Sequence, residues 1–223
     1  NSKVVNAGII TCNSVYGQLY GNSDAQGNTN VGTNAGDSFT GTDANQNTLI
    51  GKDAGTSITT ADNNVAVGYQ ALDAATTGSN NTAVGTLAIG ANTTGERHVA
   101  VGYGALVTNT TANDNTAIGF YALTANTTGI QNVSVGGYSL DSNTTASYNT
   151  ALGYNAAGAN TTGSVNTAVG NYALAANTTG SSNTGCGANA LQVNTTGDYN
   201  TAIGRNALDA NTTASYNTAI GYN

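Results

Sequence analysis

The sequence predicts an all-β fold, a parallel β-solenoid or β-roll with one 17-residue coil per repeat. Three observations carry that expectation. The motif Asn-Thr-Ala-(Val/Ile)-Gly returns with its glycine at Gly51, Gly68, Gly85, Gly102, Gly119, Gly136, Gly153, Gly170, Gly187, Gly204 and Gly221, every step being 17 residues. The residue before each glycine is almost always β-branched, which favours strand over helix. Between motifs comes a turn of consensus Asn-Thr-Thr-Gly, as at Asn92 to Gly95 and Asn126 to Gly129, which leaves no room for an amphipathic helix.

The unbroken spacing is the strongest of these. An inserted residue would throw every later side chain out of its column, so a constant period implies one structural coil per repeat. The bulky apolar positions then define the expected core ladder. One column is Val67, Val84, Val101, Ile118, Val135, Leu152, Val169, Cys186, Ile203 and Ile220, and the facing one includes Leu72, Leu106, Leu123, Leu174 and Leu208. Neighbouring strand residues point to opposite faces. With the β-branched column turned inward, the alanines before it (Ala66, Ala83, Ala100 and their equivalents) are expected to form an outer strip of small side chains suited to a close-packed neighbouring chain.

Each coil is expected to hold two short strands and two turns, and at about 4.8 Å per coil the array makes a rod roughly 50 Å long. Asparagines open each motif from Asn47 to Asn217, with His98 the one exception. They are placed to pass amide hydrogen bonds from coil to coil. In the turns, Asn and Thr are placed to bond nearby backbone groups.

Two regions follow from this register. Residues 47–223 are the regular 17-residue repeat, and residues 1–46 read as degenerate N-terminal coils or a cap. Within the latter, Asn30-Val31-Gly32 echoes Leu49-Ile50-Gly51 at a 19-residue offset, and Tyr16, Tyr20 and Phe39 add aromatics. Starting at Asn1 without a basic and apolar leader, the chain reads as a processed form or a piece of a longer one. Its last motif suggests a stack continued by more coils or by another subunit.

Composition narrows the function. Charged residues are 7% of the chain, far below the roughly 25% of ordinary soluble domains. The net charge of −7 disfavours nucleic acid and anionic membrane as partners. No apolar run is long enough for a membrane span.

The tandem Asn-Thr-Ala-(Val/Ile)-Gly motif, with Leu72 and Val84-Gly85 and their equivalents at fixed offsets, resembles the heads of trimeric autotransporter adhesins. It is also similar to the repeat shafts of phage tail fibres. The resemblance covers about residues 47–223, although the typical adhesin head repeat is shorter than this one. It implies a parallel solenoid or roll, a homotrimer or an end-to-end filament, and a location outside the cell, on its surface or on a virion appendage. A cell-surface glycan or protein receptor is the implied partner.

Reactive groups are sparse. His98, the only histidine, reads as a polar replacement in the asparagine column, paired with Glu96 or a neighbouring Asn. Cys186 reads as a small hydrophobe in the β-branched column, and Cys12 lies far from it along the rod. Asp62, Asp73, Asp114, Asp141, Asp198 and Asp209 are scattered over turns, so weak surface calcium is the only cofactor they suggest. No catalytic or metal residues are assigned, and the chain is not expected to be an enzyme. Tyrosine is the one aromatic in quantity. Tyr69, Tyr103, Tyr121, Tyr138, Tyr172 and Tyr199 are the candidates for surface or partner contacts.

The expected function is therefore a structural fibre or adhesin subunit of an extracellular filament, appendage or phage tail fibre. The alternatives are an ice-binding β-solenoid, or a shaft carrying a glycan-binding or enzymatic domain outside this chain. Against ice binding, paired threonines such as Thr127-Thr128 fall in the turn consensus rather than at alternating strand positions.

Overall fold

A computed structural model describes residues 26–39 and 43–223; Cys12, Tyr16 and Tyr20 lie outside the described residues. The chain is a parallel β-solenoid. Twelve three-residue strands stack in chain order: β1 (Thr29–Val31), β2 (Thr48–Ile50), β3 (Val65–Val67), β4 (Thr82–Val84), β5 (Val99–Val101), β6 (Thr116–Ile118), β7 (Val133–Val135), β8 (Thr150–Leu152), β9 (Thr167–Val169), β10 (Thr184–Cys186), β11 (Thr201–Ile203) and β12 (Thr218–Ile220). Each pairs in parallel with the next, and from β2 onward equivalent residues are partners, as Ala100 with Ala117. β1 pairs with β2 at the 19-residue offset. Phe39 holds the place that Ile58 holds one coil later, and Ala44 plays the part of Ala61 in accepting an asparagine side-chain bond. Between Phe39 and Ala44 the chain is thus two residues longer than between Ile58 and Ala61, and the strand pairing is kept.

The coil has one strand, not the two expected from sequence. Besides the motif glycine, three positions per coil carry positive φ. Leu72, Leu106 and Leu123 are at 54°, 56° and 53°, and their column is preceded two residues earlier by left-handed residues such as Gln70 and Tyr121. Five residues before each motif glycine is a third, as at Arg97 and Val165. Left-handed residues break extension, so the leucine side is a string of corners rather than a strand. The motif glycine turns the chain at φ between 126° and 141°. A Cβ on Gly102 would lie 2.4 Å from the carbonyl oxygen of Gly119, which explains why this column admits no other residue.

The facing of the strand is also the reverse of the sequence expectation. Ala100 and Ala117 are 0% exposed, whereas Val101 and Ile118 beside them are 36% and 38% exposed. The whole column Val67, Val84, Val101, Ile118, Val135, Leu152, Val169, Cys186, Ile203 and Ile220 lies on the outer face, fully or partly exposed. Leu72, Leu106, Leu123 and Leu174 are buried, and Leu208 packs against the core while partly buried. The core is thus leucine against two columns of methyl groups, and the small-residue strip is interior.

The physical reason is parity. The asparagine that opens the motif is two residues before the alanine, so the two side chains share a face. Asn64, Asn81, Asn115 and Asn132 are all 0% exposed, because their amides are used inside. Each asparagine Oδ1 accepts the backbone N–H of the equivalent residue one coil later, at 3.0 Å for Asn64 onto Asn47 and 2.9 Å for Asn132 onto Asn115. From Asn28 to Asn200, each asparagine Nδ2 in this column donates across the coil to a turn carbonyl, as Asn115 to Gly129 at 2.8 Å. With Asn and Ala inward, Thr and Val must point out.

A second inward ladder comes from the first asparagine of the turn. From Asn109 to Asn211, each Nδ2 donates to Oδ1 of the asparagine one coil earlier, at 2.8 to 3.1 Å. The same Nδ2 closes its own turn onto the carbonyl three residues on, as Asn126 to Gly129. In earlier coils this column holds Phe39, Ile58 and Ala75, so apolar packing does there what amide bonding does later.

The narrow core shows compensating exchanges. Coil two places Leu49 where others have alanine, and Gly55 where others have leucine; a Cβ on Gly55 would lie 2.8 Å from Leu49. At β7, Ser134 and Ser139 replace the two facing alanines together and hydrogen-bond to each other. From this geometry, Ala117→Leu alone destabilises the solenoid by about 1–3 kcal/mol through overpacking, and Leu123→Gly alone by about 2–5 kcal/mol. Combined, they cost at least about 1 kcal/mol less than their sum. Chemical denaturation of the four proteins measures the coupling; strict additivity would show that these columns do not meet.

Candidate interaction surface

The outer face of the sheet carries two columns. One is the residue before each motif glycine; the other, two residues earlier, is Thr48, Val65, Thr82, Val99, Thr116, Val133, Thr150, Thr167, Thr184, Thr201 and Thr218. No strand contains a charged residue. The face is about 55 Å by about 10 Å, on the order of 550 Å² of uncharged, mostly β-branched surface that is rich in methyl groups and carries the threonine hydroxyls in one column. Sequence reasoning missed the threonine column, although its signal was present: Thr and Val in Asn-Thr-Ala-Val-Gly are two apart and share a face. Cys186 is a free thiol on this face, half-exposed rather than in the core.

Beyond the motif glycines, aromatic rings gather in the middle of the rod. Tyr103, Phe120, Tyr121, Tyr138, Tyr154 and Tyr172 form a chain of ring contacts running from the β5 coil to the β9 coil, with centroids 4.5 to 6.1 Å apart. Tyr103, Phe120, Tyr138 and Tyr154 are exposed. Gly104 seats one of them: a Cβ there would lie 2.7 Å from the Tyr121 ring. Four of the six tyrosines singled out from sequence are thus brought together. Tyr69 instead stands beside Lys52, whose Nζ is 5.1 Å from its ring centre. Tyr199 stacks on Tyr216 at 5.0 Å in another column. Phe120, which sequence reasoning passed over, occupies the column of Tyr103 and Tyr154 and touches three of the other rings.

The remaining polar groups serve the coil. Asp62 and Asp198 accept backbone N–H groups of Asn45 and Ser181, both at 2.7 Å. Asp114 pairs with Arg97 at 2.6 Å, which lowers its carboxyl below the ordinary range, and Arg97 also reaches Glu96. Asp73 and Asp141 are partly buried, and desolvation raises both. Among the described residues no three His, Cys, Asp or Glu side chains converge as a metal site, and no helix is long and apolar enough to cross a membrane.

His98 is fully buried and bonds neither Glu96 nor Arg97. It reproduces the asparagine role: Nδ1 accepts the Asn115 backbone N–H at 3.2 Å, and Nε2 meets the Ala112 carbonyl at 2.6 Å. Those partners fit the neutral ring with its proton on Nε2. Burial lowers its pKa, since a second proton would set a charge in the core and a donor against the Asn115 N–H. A base depressed in the folded state binds fewer protons there than when unfolded. Its contribution is therefore full above the ordinary histidine value of about 6.5 and declines as pH falls below it. Denaturation midpoints should accordingly drop faster for the native chain than for His98→Asn between about pH 7 and pH 5. Parallel pH curves for the two proteins would contradict the assignment.

Comparison with family models, with curated proteins and with solved structures found no match for this chain.

Proposed function

We propose that this chain is a structural or adhesive fibre subunit working outside the cell or on a virion appendage, and that its copies pack side by side through the outer face of the sheet. The observation that carries this reading is that face: twelve strands that turn Thr, Val, Ile, Leu and one Cys outward, with no charge. Two such faces together bury on the order of 1,100 Å², near the lower bound of a stable protein interface, and the uncharged, methyl-rich outer columns suit such a contact. The uniform repeat supports a load-carrying shaft, and the low charge supports a crowded, salty setting. In light scattering and small-angle X-ray scattering, the native chain is expected as an elongated oligomer, and the double variant Val101→Glu/Ile118→Glu as an elongated monomer. A native chain that is already monomeric would contradict the packing.

One observation favours a second reading, ice binding. The strand threonines alternate with a buried residue and stand beside the Val/Ile column at regular spacing, the arrangement that the turn threonines lack. A flat, rigid array of methyl and hydroxyl groups is the kind of surface that can order a water layer. The two readings compete for the same face, because a surface buried between copies cannot meet a crystal. Thermal hysteresis in the monomeric glutamate variant's parent protein decides: clear hysteresis in the native chain supports ice binding, and its absence removes that reading.

A further inference from the structure

We propose that the aromatic chain from Tyr103 to Tyr172 is a binding strip for a neutral, extended polysaccharide, which gives the adhesive half of the reading above a site and a ligand class. The argument starts from irregularity. In a molecule whose coils repeat almost unchanged, function shows where the pattern is broken, and the six rings are concentrated in five consecutive coils. Corresponding positions in the β4 and β10 coils hold Thr86, Leu87, Ala188 and Asn189.

The dimensions select a linear partner. The strip is about 20 Å long and one to two rings wide, far less than the ~800 Å² that each side of a protein interface normally buries. A single polymer strand laid along the rod would cover it. Each coil rises by about 4.8 Å, close to the length of one pyranose ring along an extended chain, so successive sugars meet successive rings without accumulating mismatch. The apolar C–H faces of a sugar stack on aromatic rings, and the tyrosine hydroxyls give the edges a polar partner.

Charge selects a neutral polymer. Between Asp53 and Arg205, the two columns that supply the rings contain no charged residue, and the flanking positions are amides such as Asn155, Asn171 and Asn189. With a net charge of −7, the chain also repels anionic polysaccharides. The rings are held by a rigid backbone and by one another, so little ordering is needed on binding.

Native affinity electrophoresis tests the proposal, with glucomannan as the neutral probe and alginate as the anionic one. The native protein is expected to be retarded by glucomannan and to migrate unchanged in alginate. Phe120→Thr/Tyr154→Asn uses residues that other coils carry in the same column, at Thr86 and Asn171, so the fold should accommodate it. A circular-dichroism melt checks that it does. This variant is expected to bind glucomannan about tenfold more weakly, since each of the two lost ring contacts is worth between about twofold and about tenfold in affinity. Val165→Ser, in a column away from the strip, is expected to bind as the native protein does. No retardation of the native protein by glucomannan, or undiminished retardation of the double variant, overturns the proposal. So does a change in particle mass of the double variant by light scattering, because the rings would then join copies. An elongated oligomer that fails to bind overturns this inference alone; an elongated monomer that binds overturns only the side-by-side fibre.

Discussion

The hydrogen bond from the backbone N–H of each motif-opening residue to the asparagine side chain one coil earlier is the constraint on which the rest of this solenoid depends. It acts where strand pairing has not yet begun, just ahead of each three-residue strand, and locks successive coils in register. Twelve such short strands would be weak on their own. The second ladder, through the turn asparagines, fixes the opposite corner of the coil, and side-chain bonds from turn threonines to the next coil add a third line, as Thr127 to Thr144 at 3.1 Å. Since each unit holds only its neighbours, stability grows with the number of coils. Leaving one buried amide unpaired costs about 1–3 kcal/mol, so the ladder holds each coil in register with its neighbour, and the 19-residue step from Asn28 to Asn47 keeps the same bond.

That same bond decides which way the strand faces. Turning asparagine inward carries alanine inward and leaves threonine and valine outside. The result inverts the habit of putting the bulkiest apolar residue in the core, and it does so for reasons of space: opposite the strand stands a leucine column, and the gap accepts a methyl group. The swap of Leu49 with Gly55 in coil two shows how strictly that space is conserved.

The period, the columns and the asparagine ladder were legible in the sequence, because each is a matter of spacing. The inward face was not, because hydrophobicity pointed one way and parity with asparagine the other, and only the amide bonding decides between them. The missing second strand had a faint trace: Gly36 and Gly55 stand in the leucine column and Gly104 in the Tyr121 column, all at positive φ. Glycine alternating with leucine or tyrosine marks a left-handed corner rather than a strand. His98 was legible as a polar substitution, but its mimicry of asparagine at both ring nitrogens depends on distances that spacing does not contain. The aromatic strip was legible in part, since four of its tyrosines stood out and Phe120 did not.

Two kinds of surface result, one uniform along the whole rod and one confined to its middle, and both exist because the amide ladders, with a thin core of alanine and leucine beside them, keep the interior narrow. The most direct test of that account is hydrogen exchange of side-chain amides, followed by NMR on the nitrogen-15-labelled protein. Slow exchange is expected for the asparagines of both ladders, such as Asn64, Asn132, Asn126 and Asn160, with fast exchange for surface amides such as Gln70 and Gln131. Uniformly fast exchange of all asparagine side chains would contradict it.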